Sequence, residues 1–274
     1  MTGSESNLVI GISLPQETPD VGDLLQKSRE DGFDFVTTVL PHSPAEPIRS
    51  DVTALTGRWW RTSVVGTVPP AVSPSDFSSK LEKQVEWAMH MGIPAVILPP
   101  PPAGTLMDYA RMIQSTALKA QSCNLQIWIK TGLKETSISE FDLLHRFCGG
   151  ISNLGMILEM EPIPTMNSAA ATVASQLVLI HKAIGMQLKA VSFPSKVFLT
   201  NKKGYPTMAK SHQVLFTEIL KRIGRTVRVL VEGPSAHPDV DTAGATKCLP
   251  YLQYIKHVRA REDIKGFLNT EEAS

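Results

Sequence analysis

Short runs of β-branched and apolar residues recur along the chain at a fairly regular interval. They are Leu8 to Leu14, Phe33 to Val39, Thr62 to Val68, Pro94 to Leu98, Asn124 to Lys130, Gly155 to Met160, Leu188 to Phe193 and Thr226 to Val231. Several are continuous rather than alternating, as in Ala95-Val96-Ile97-Leu98, which is the pattern of parallel strands covered on both faces. Most intervals carry apolar residues at helical spacing: Phe77, Leu81, Val85 and Ala88; Leu106, Ala110, Ile113 and Ala117; Val173, Leu177, Ile180 and Ile184. Ser137 and Glu140 have the three-residue spacing of a capping box, so a helix is predicted to start there and bury Phe141, Leu144 and Cys148. A last stripe, Cys248, Leu252, Ile255 and Val258, supplies a closing helix.

Strands alternating with helices admit a closed barrel or an open doubly wound sheet. Eight of them favour closure, and 274 residues is close to the roughly 250 of a (β/α)₈ barrel. The predicted fold is therefore α/β, a single-domain (β/α)₈ TIM barrel over residues 1–268, with a polar tail over 269–274. The second unit is the exception: Pro41, Pro44 and Pro47, followed by Gly57-Arg58-Trp59-Trp60, predict an irregular loop in place of a helix. Pro99 to Pro102 predicts a second stiff loop.

Charge narrows the function classes. Lys plus Arg number 27 against 26 for Asp plus Glu, so no global field attracts nucleic acid or an anionic membrane. Three dispersed cysteines without a CxxC spacing suggest neither a disulfide framework nor a zinc site, which fits a reducing compartment. No apolar run reaches the roughly 18 residues of a membrane span, and the first residues lack the pattern of a secretory signal.

In an enzyme of this fold the reactive groups sit at the C-terminal strand ends. The candidates there are His42, Lys130, Glu159, Glu161, Ser192 and Glu232, with His237 slightly further on. One reading makes Glu159, Glu232 and His42 a metal site of an isomerase or lyase. Against it, Leu14-Pro15, Val68-Pro69, Leu98-Pro99 and Phe193-Pro194 end four strands without a ligand or base, and Glu159 and Glu232 can instead pair with nearby basic residues. Lys130 could form a Schiff base if buried, but an adjacent ion pair explains it more simply. His145, His181 and His212 fall within helical stripes, where a packed or surface role is expected.

The seventh unit reads Phe198-Leu199-Thr200-Asn201-Lys202-Lys203-Gly204-Tyr205-Pro206, followed by a helix with Lys210, His212 and Gln213; Pro250-Tyr251-Leu252-Gln253-Tyr254 lies on the closing helix. These segments closely resemble the N-terminal barrel domain of the protein arginine methyltransferase 5 family, the type II enzymes. Gly32-Phe33-Asp34-Phe35, Ser50-Asp51 with Gly57-Arg58 and Trp60, Val64-Val65-Gly66, and Ile93-Pro94-Ala95 leading to Leu98-Pro99 extend the resemblance across nearly the whole chain. It implies a parent activity, S-adenosylmethionine-dependent symmetric dimethylation of protein arginines such as those of histones and spliceosomal proteins, in cytoplasm and nucleus. The family's cofactor turn and catalytic glutamates lie in a later methyltransferase domain with no counterpart here. No catalytic, cofactor-binding or metal residue is therefore carried over, and this chain is expected to be inactive alone.

What the resemblance does imply is docking. Family barrels contact the methyltransferase domain of a partner protomer, bind a WD-repeat cofactor protein, and hold an acidic motif of substrate adaptors. The matching positions for that adaptor peptide are Asn201, Lys202, Lys203, Tyr205, Tyr251, Gln253 and Tyr254. Two ammonium groups beside an amide and aromatic walls suit a peptide with Asp or Glu next to a large apolar side chain. Pro250 departs from the family, which usually has a small polar residue there.

Overall fold

In the computed structural model the chain folds into one closed barrel. The structure describes residues 8–13, 21–39, 64–68, 74–102, 104–149, 151–160, 169–200, 202, 206–222, 226–232 and 248–256. The irregular loop expected between Pro41 and Trp60 and the tail from residue 269 lie outside the described residues, as does Val258.

The barrel strands are β1 (Leu8–Ser13), β2 (Phe35–Val39), β3 (Val64–Thr67), β4 (Ala95–Leu98), β5 (Gln126–Gly132), β6 (Leu154–Glu159), β7 (Leu188–Pro194) and β10 (Val227–Glu232). Every neighbouring pair is parallel, and β10 closes the ring by pairing with β1, Leu8 opposite Val227 through Ile12 opposite Val231. The open-sheet alternative is excluded. The helices between strands are α1 (Val21–Glu30), α2 (Pro74–Met91), α3 (Leu106–Gln121), α4 (Glu135–Phe147), α5 (Ala169–Gly185) and α6 (Lys210–Arg222), and residues 248–256 are helical and close the ring.

Two apolar layers hold this arrangement. The larger lies between strands and helices and takes in the stripes expected from sequence: Leu81, Val85, Ala88, Ile113, Ala117, Phe141, Leu144, Cys248 and Leu252 are all buried there. The smaller fills the barrel itself with Phe35, Val65, Ala95, Ile97, Trp128, Ile157, Ala190 and Leu230, one or two from every strand but β1, whose partly buried Val9 packs against them. Strand residues alternate between these layers, so the side chain two positions after each interior residue points to the C-terminal mouth and the one two before it to the N-terminal mouth.

The start of α4 differs from the sequence reading. The helix begins at Glu135, with extended Lys134 as its N-cap and no side-chain cap, and the Ile138 N–H donates to the Lys134 carbonyl. Ser137 and Glu140 therefore lie inside the helix and form no capping box. The N-cap falls three residues earlier than the spacing suggested, so the backbone carbonyl of Lys134 starts the ladder.

Closure is reinforced at a distance. Asp34 accepts from the Ile10 N–H at 2.8 Å and pairs with Lys256 of the closing helix at 2.9 Å, joining β1, β2 and the last helix through one carboxylate. Gly32, at φ +97°, makes the preceding turn, and a side chain there would meet the Gln253 amide.

Candidate functional site

Two places on the barrel concentrate the groups singled out by sequence. At the C-terminal mouth, Lys130 follows Trp128 by two residues on β5, Glu159 follows Ile157 on β6, and Glu232 follows Leu230 on β10. Their shared inward phase brings them together although β5 and β10 are not neighbours in the sheet. The Lys130 ammonium donates to Glu232 at 2.7 Å and pairs with Glu159 at 3.1 Å. Burial opposes its charge, but attraction to Glu232 and then Glu159, with a hydrogen bond to each, outweighs that and raises its pKa above the ordinary lysine value. An amine held protonated between two carboxylates is a poor nucleophile, so the geometry opposes Schiff-base chemistry.

Ser192, on the same inward phase of β7, is buried and adjoins Glu159 in the strand register. His42, Glu161 and His237 lie outside the described residues. Among the described residues no group of three or more His, Cys, Asp or Glu side chains could hold a metal. At the described strand ends β4 runs into Pro99 to Pro102 and β7 ends at Pro194, and proline offers no backbone N–H to the carboxylate of a ligand such as S-adenosylmethionine. The three helical histidines are packed or on the surface: His212 is buried against Phe193, His145 stacks on Phe141, and His181 pairs with Glu218 at 3.3 Å.

The second place follows β7. A single 3₁₀ turn, Ser195–Val197, leads into a small antiparallel hairpin, β8 (Phe198–Thr200) and β9 (Pro206–Met208), which stands outside the barrel. The sequence pattern predicts no strand in this segment, because strands of three residues are too short to carry an alternating pattern. Phe198 anchors the hairpin, edge-on to Phe193 at 6.3 Å and to Tyr251 of the closing helix at 6.3 Å. Gln213 of α6 donates to the Thr207 hydroxyl at 3.0 Å and fixes its other strand.

Of the residues matched to the adaptor groove, Lys202 is exposed in the hairpin turn, and Asn201, Lys203 and Tyr205 lie outside the described residues. Tyr251 is buried against the hairpin, and Tyr254, one helical turn on, is 50% exposed. Gln253, at a different angle around the helix, lies against Gly32. The structure thus joins Tyr251 to the base of the hairpin and places Gln253 toward the α1–β2 turn.

The comparisons agree on the fold and point to one family. A family profile describing the PRMT5 TIM barrel domain matches residues 23–146. Protein arginine N-methyltransferase 5 of Oryza sativa subsp. japonica is 24% identical over 93% of this chain, and the Xenopus laevis protein 24% identical over 87%. The chain spans 44% and 42% of those relatives' lengths, less than half of each. Among solved structures, a D-psicose 3-epimerase crystallised with D-fructose superposes with a TM-score of 0.61 over 92% of this chain and 99% of its own, at 12% identity. A xylose isomerase-like TIM barrel protein from Mycobacterium smegmatis in complex with magnesium gives 0.62 over 93% and 97%, at 10% identity. At such identities these two establish the barrel and nothing about chemistry.

Proposed function

We propose that this chain, which carries a barrel of the PRMT5 TIM barrel domain family, is a protein-docking module that recruits adaptors or partner proteins to an arginine methyltransferase. The whole enzyme would supply S-adenosylmethionine-dependent symmetric dimethylation, and this barrel would position what is methylated. The proposed contact surface is the hairpin turn, with Asn201, Lys202, Lys203 and Tyr205, together with Tyr251, Gln253 and Tyr254 of the closing helix. Its ligand is an acidic adaptor peptide. A WD-repeat cofactor protein and the methyltransferase domain of a partner protomer are further proposed partners, and cytoplasm and nucleus the proposed locations.

The observation that carries this reading is the anchoring of the hairpin. Phe198 wedged between Phe193 and Tyr251 makes a firm base for an exposed, lysine-bearing turn beside an aromatic helix face. Strands held this way flank Lys202, so less of the hairpin has to be ordered when a peptide engages that ammonium.

The rival reading, an isomerase or lyase with metal at the C-terminal mouth, is disfavoured because Glu159 and Glu232 are both engaged by Lys130. A divalent ion would have to displace an ammonium already neutralised by both. Calorimetric titration with an acidic, aromatic-containing peptide tests the proposal, with Lys202→Glu and Lys203→Glu as variants. Each reversal is expected to weaken binding at least about tenfold, the effect of replacing an attractive charge by a repulsive one. Affinity unchanged in both removes the groove, and elemental analysis finding one divalent ion per chain restores the rival.

A further inference from the structure

The inward side chains at the C-terminal mouth form a polar bowl whose floor holds an unanswered hydroxyl. Barrel strands are tilted, so residues paired across neighbouring strands step along the axis by about one position per strand, and side chains from alternate strands share a layer. Leu230 pairs through Gly11 with Phe35, and Thr37 lies two residues above Phe35, which puts it level with Leu230. The same steps bring Ile97 and Ile157 into this layer. The layer above takes Ser13, Thr67, Lys130 and Ser192 from β1, β3, β5 and β7. Glu159 and Glu232 come next, two residues beyond Ile157 and Leu230. The β6–β7 register slips once, at Lys189, whose stem lies across the bare face of Gly155; past that bulge Glu159 stands opposite Ser192, both facing inward.

The layers differ in kind. The lower one is closed, with Leu230 and Ile97 1% exposed and Thr37 and Ile157 0%. In the upper one Ser13, Thr67 and Lys130 are partly exposed, as are both glutamates, so solvent enters the mouth as far as this layer. Bulky branched side chains normally fill each layer of such a barrel. Ser13, Thr67 and Ser192 in their place leave room above the floor. Thr37 is the one polar group in that floor, and its Oγ1 has no hydrogen-bond partner among the described residues. A buried hydroxyl without a partner costs stability, and a group seated in the bowl can supply one.

The charges select the ligand. Lys130 engages one oxygen, Oε1, of each glutamate, at 3.1 Å for Glu159 and 2.7 Å for Glu232. In the described contacts each carboxylate keeps its other oxygen as an acceptor, and the ammonium keeps a further N–H as a donor. An anion meets two carboxylates against one ammonium, and a divalent cation meets an ammonium already in place. A neutral ligand whose every polar group both donates and accepts meets neither objection. Its O–H donates to a carboxylate oxygen while its lone pairs accept from Lys130 or from a serine or threonine hydroxyl.

We propose that the C-terminal mouth of the barrel binds a small neutral polyol, its adjacent hydroxyls held by Lys130, Glu159 and Glu232 and one of them reaching the Thr37 hydroxyl between Ser13 and Thr67. The site is one of binding, with no bond made or broken.

Ribitol is the probe, titrated into the whole chain and followed by saturation-transfer NMR, with 1,5-pentanediol as a control of equal chain length that lacks adjacent hydroxyls. Saturable binding of ribitol is expected, with the diol at least about tenfold weaker. Thr37→Val keeps the branched shape of the side chain and removes the hydroxyl. It is expected to weaken ribitol about three- to tenfold, the scale of one neutral hydrogen bond, and to raise the melting temperature of the free chain, because the unanswered group is gone. A purely structural role for Thr37 would not move stability and affinity in opposite directions. Thr67→Leu, which fills the bowl at a partly exposed position, is expected to abolish binding, and Glu232→Gln to weaken it at least about tenfold. Should Glu232→Gln fail to fold, the two threonine variants carry the test. No saturable transfer to ribitol, equal affinity for the diol, or unchanged affinity in Thr37→Val overturns the proposal, as does tighter binding of magnesium, n-butylamine or inorganic phosphate at these residues. None of them belongs to the hairpin surface, so peptide binding and polyol binding fail or succeed separately.

Discussion

Replacing Lys130 by Met keeps most of the side chain's reach and removes the only cation between Glu159 and Glu232 in the described mouth. Breaking one side of a fully buried ion pair costs about 3–5 kcal/mol, and an exposed pair contributes about 0–1. The side chains of Lys130, Glu159 and Glu232 are 26%, 34% and 27% exposed, so solvent screens part of the interaction. The expected loss near pH 7.5 is therefore intermediate, about 1.5–2.5 kcal/mol. In the variant two carboxylates are left without their shared counter-charge, and their mutual repulsion favours the folded state with one of them protonated. Such a group favours folding more as pH falls, so the deficit is full at neutral pH and shrinks toward pH 5. The unaltered chain has the opposite signature at high pH. Because the pKa of Lys130 is raised in the folded state, its contribution is complete below the unfolded lysine value of about 10.4 and is lost as pH climbs through the higher folded value. Urea denaturation followed by far-ultraviolet dichroism across this range measures both. A second variant adding Glu159→Gln and Glu232→Gln removes every charge and is expected to recover most of the loss at neutral pH. The reasoning is refuted if Lys130→Met costs the same at pH 5 and pH 8, or costs nothing at either.

Three other outcomes follow from the packing. Gly11→Ala places a methyl group 2.3 Å from the ring of Phe35 inside the barrel, and is expected to destabilise by about 1–3 kcal/mol, with Phe35→Leu restoring much of it in thermal melts. Asp34→Ala leaves the Ile10 N–H and Lys256 without their acceptor and is expected to cost about 1–3 kcal/mol, with hydrogen exchange at the Ile10 amide accelerating; unchanged exchange would mean that β1 needs no such tie. Thiol labelling of the native chain is expected to modify Cys123 fast, while Cys148, whose thiol burial pushes up to about 11, and buried Cys248 react only on unfolding; a second fast thiol would contradict this packing.

The barrel was legible because its physics is repetitive. Continuous apolar strands and helical stripes such as Phe77, Leu81, Val85 and Ala88 each report a two-sided or one-sided burial, and all eight strands fall where those runs lie. The pairing of Lys130 with Glu159 and Glu232 was foreseeable from their common position at strand ends. The Asp34–Lys256 tie was not, because its partners are 222 residues apart and neither sits in a periodic pattern. The start of α4 was misplaced because a backbone carbonyl can open a helix without any side-chain signature. The inward turn of Lys189 escaped notice for a third reason: the bulge that admits it shifts phase by one residue, and phase is what a reader of alternation assumes.

The hairpin after β7 has a bearing on how such a barrel could change its associates over time. Its footing is a set of rings, Phe193, Phe198 and Tyr251, that belong to the scaffold, while Lys202 at its crest touches none of them in the described contacts. If the crest docks a peptide as proposed, substitutions there can alter what is recognised while leaving the cylinder's stability nearly untouched. Loss of the Phe198 ring would instead degrade every recognition made there at once.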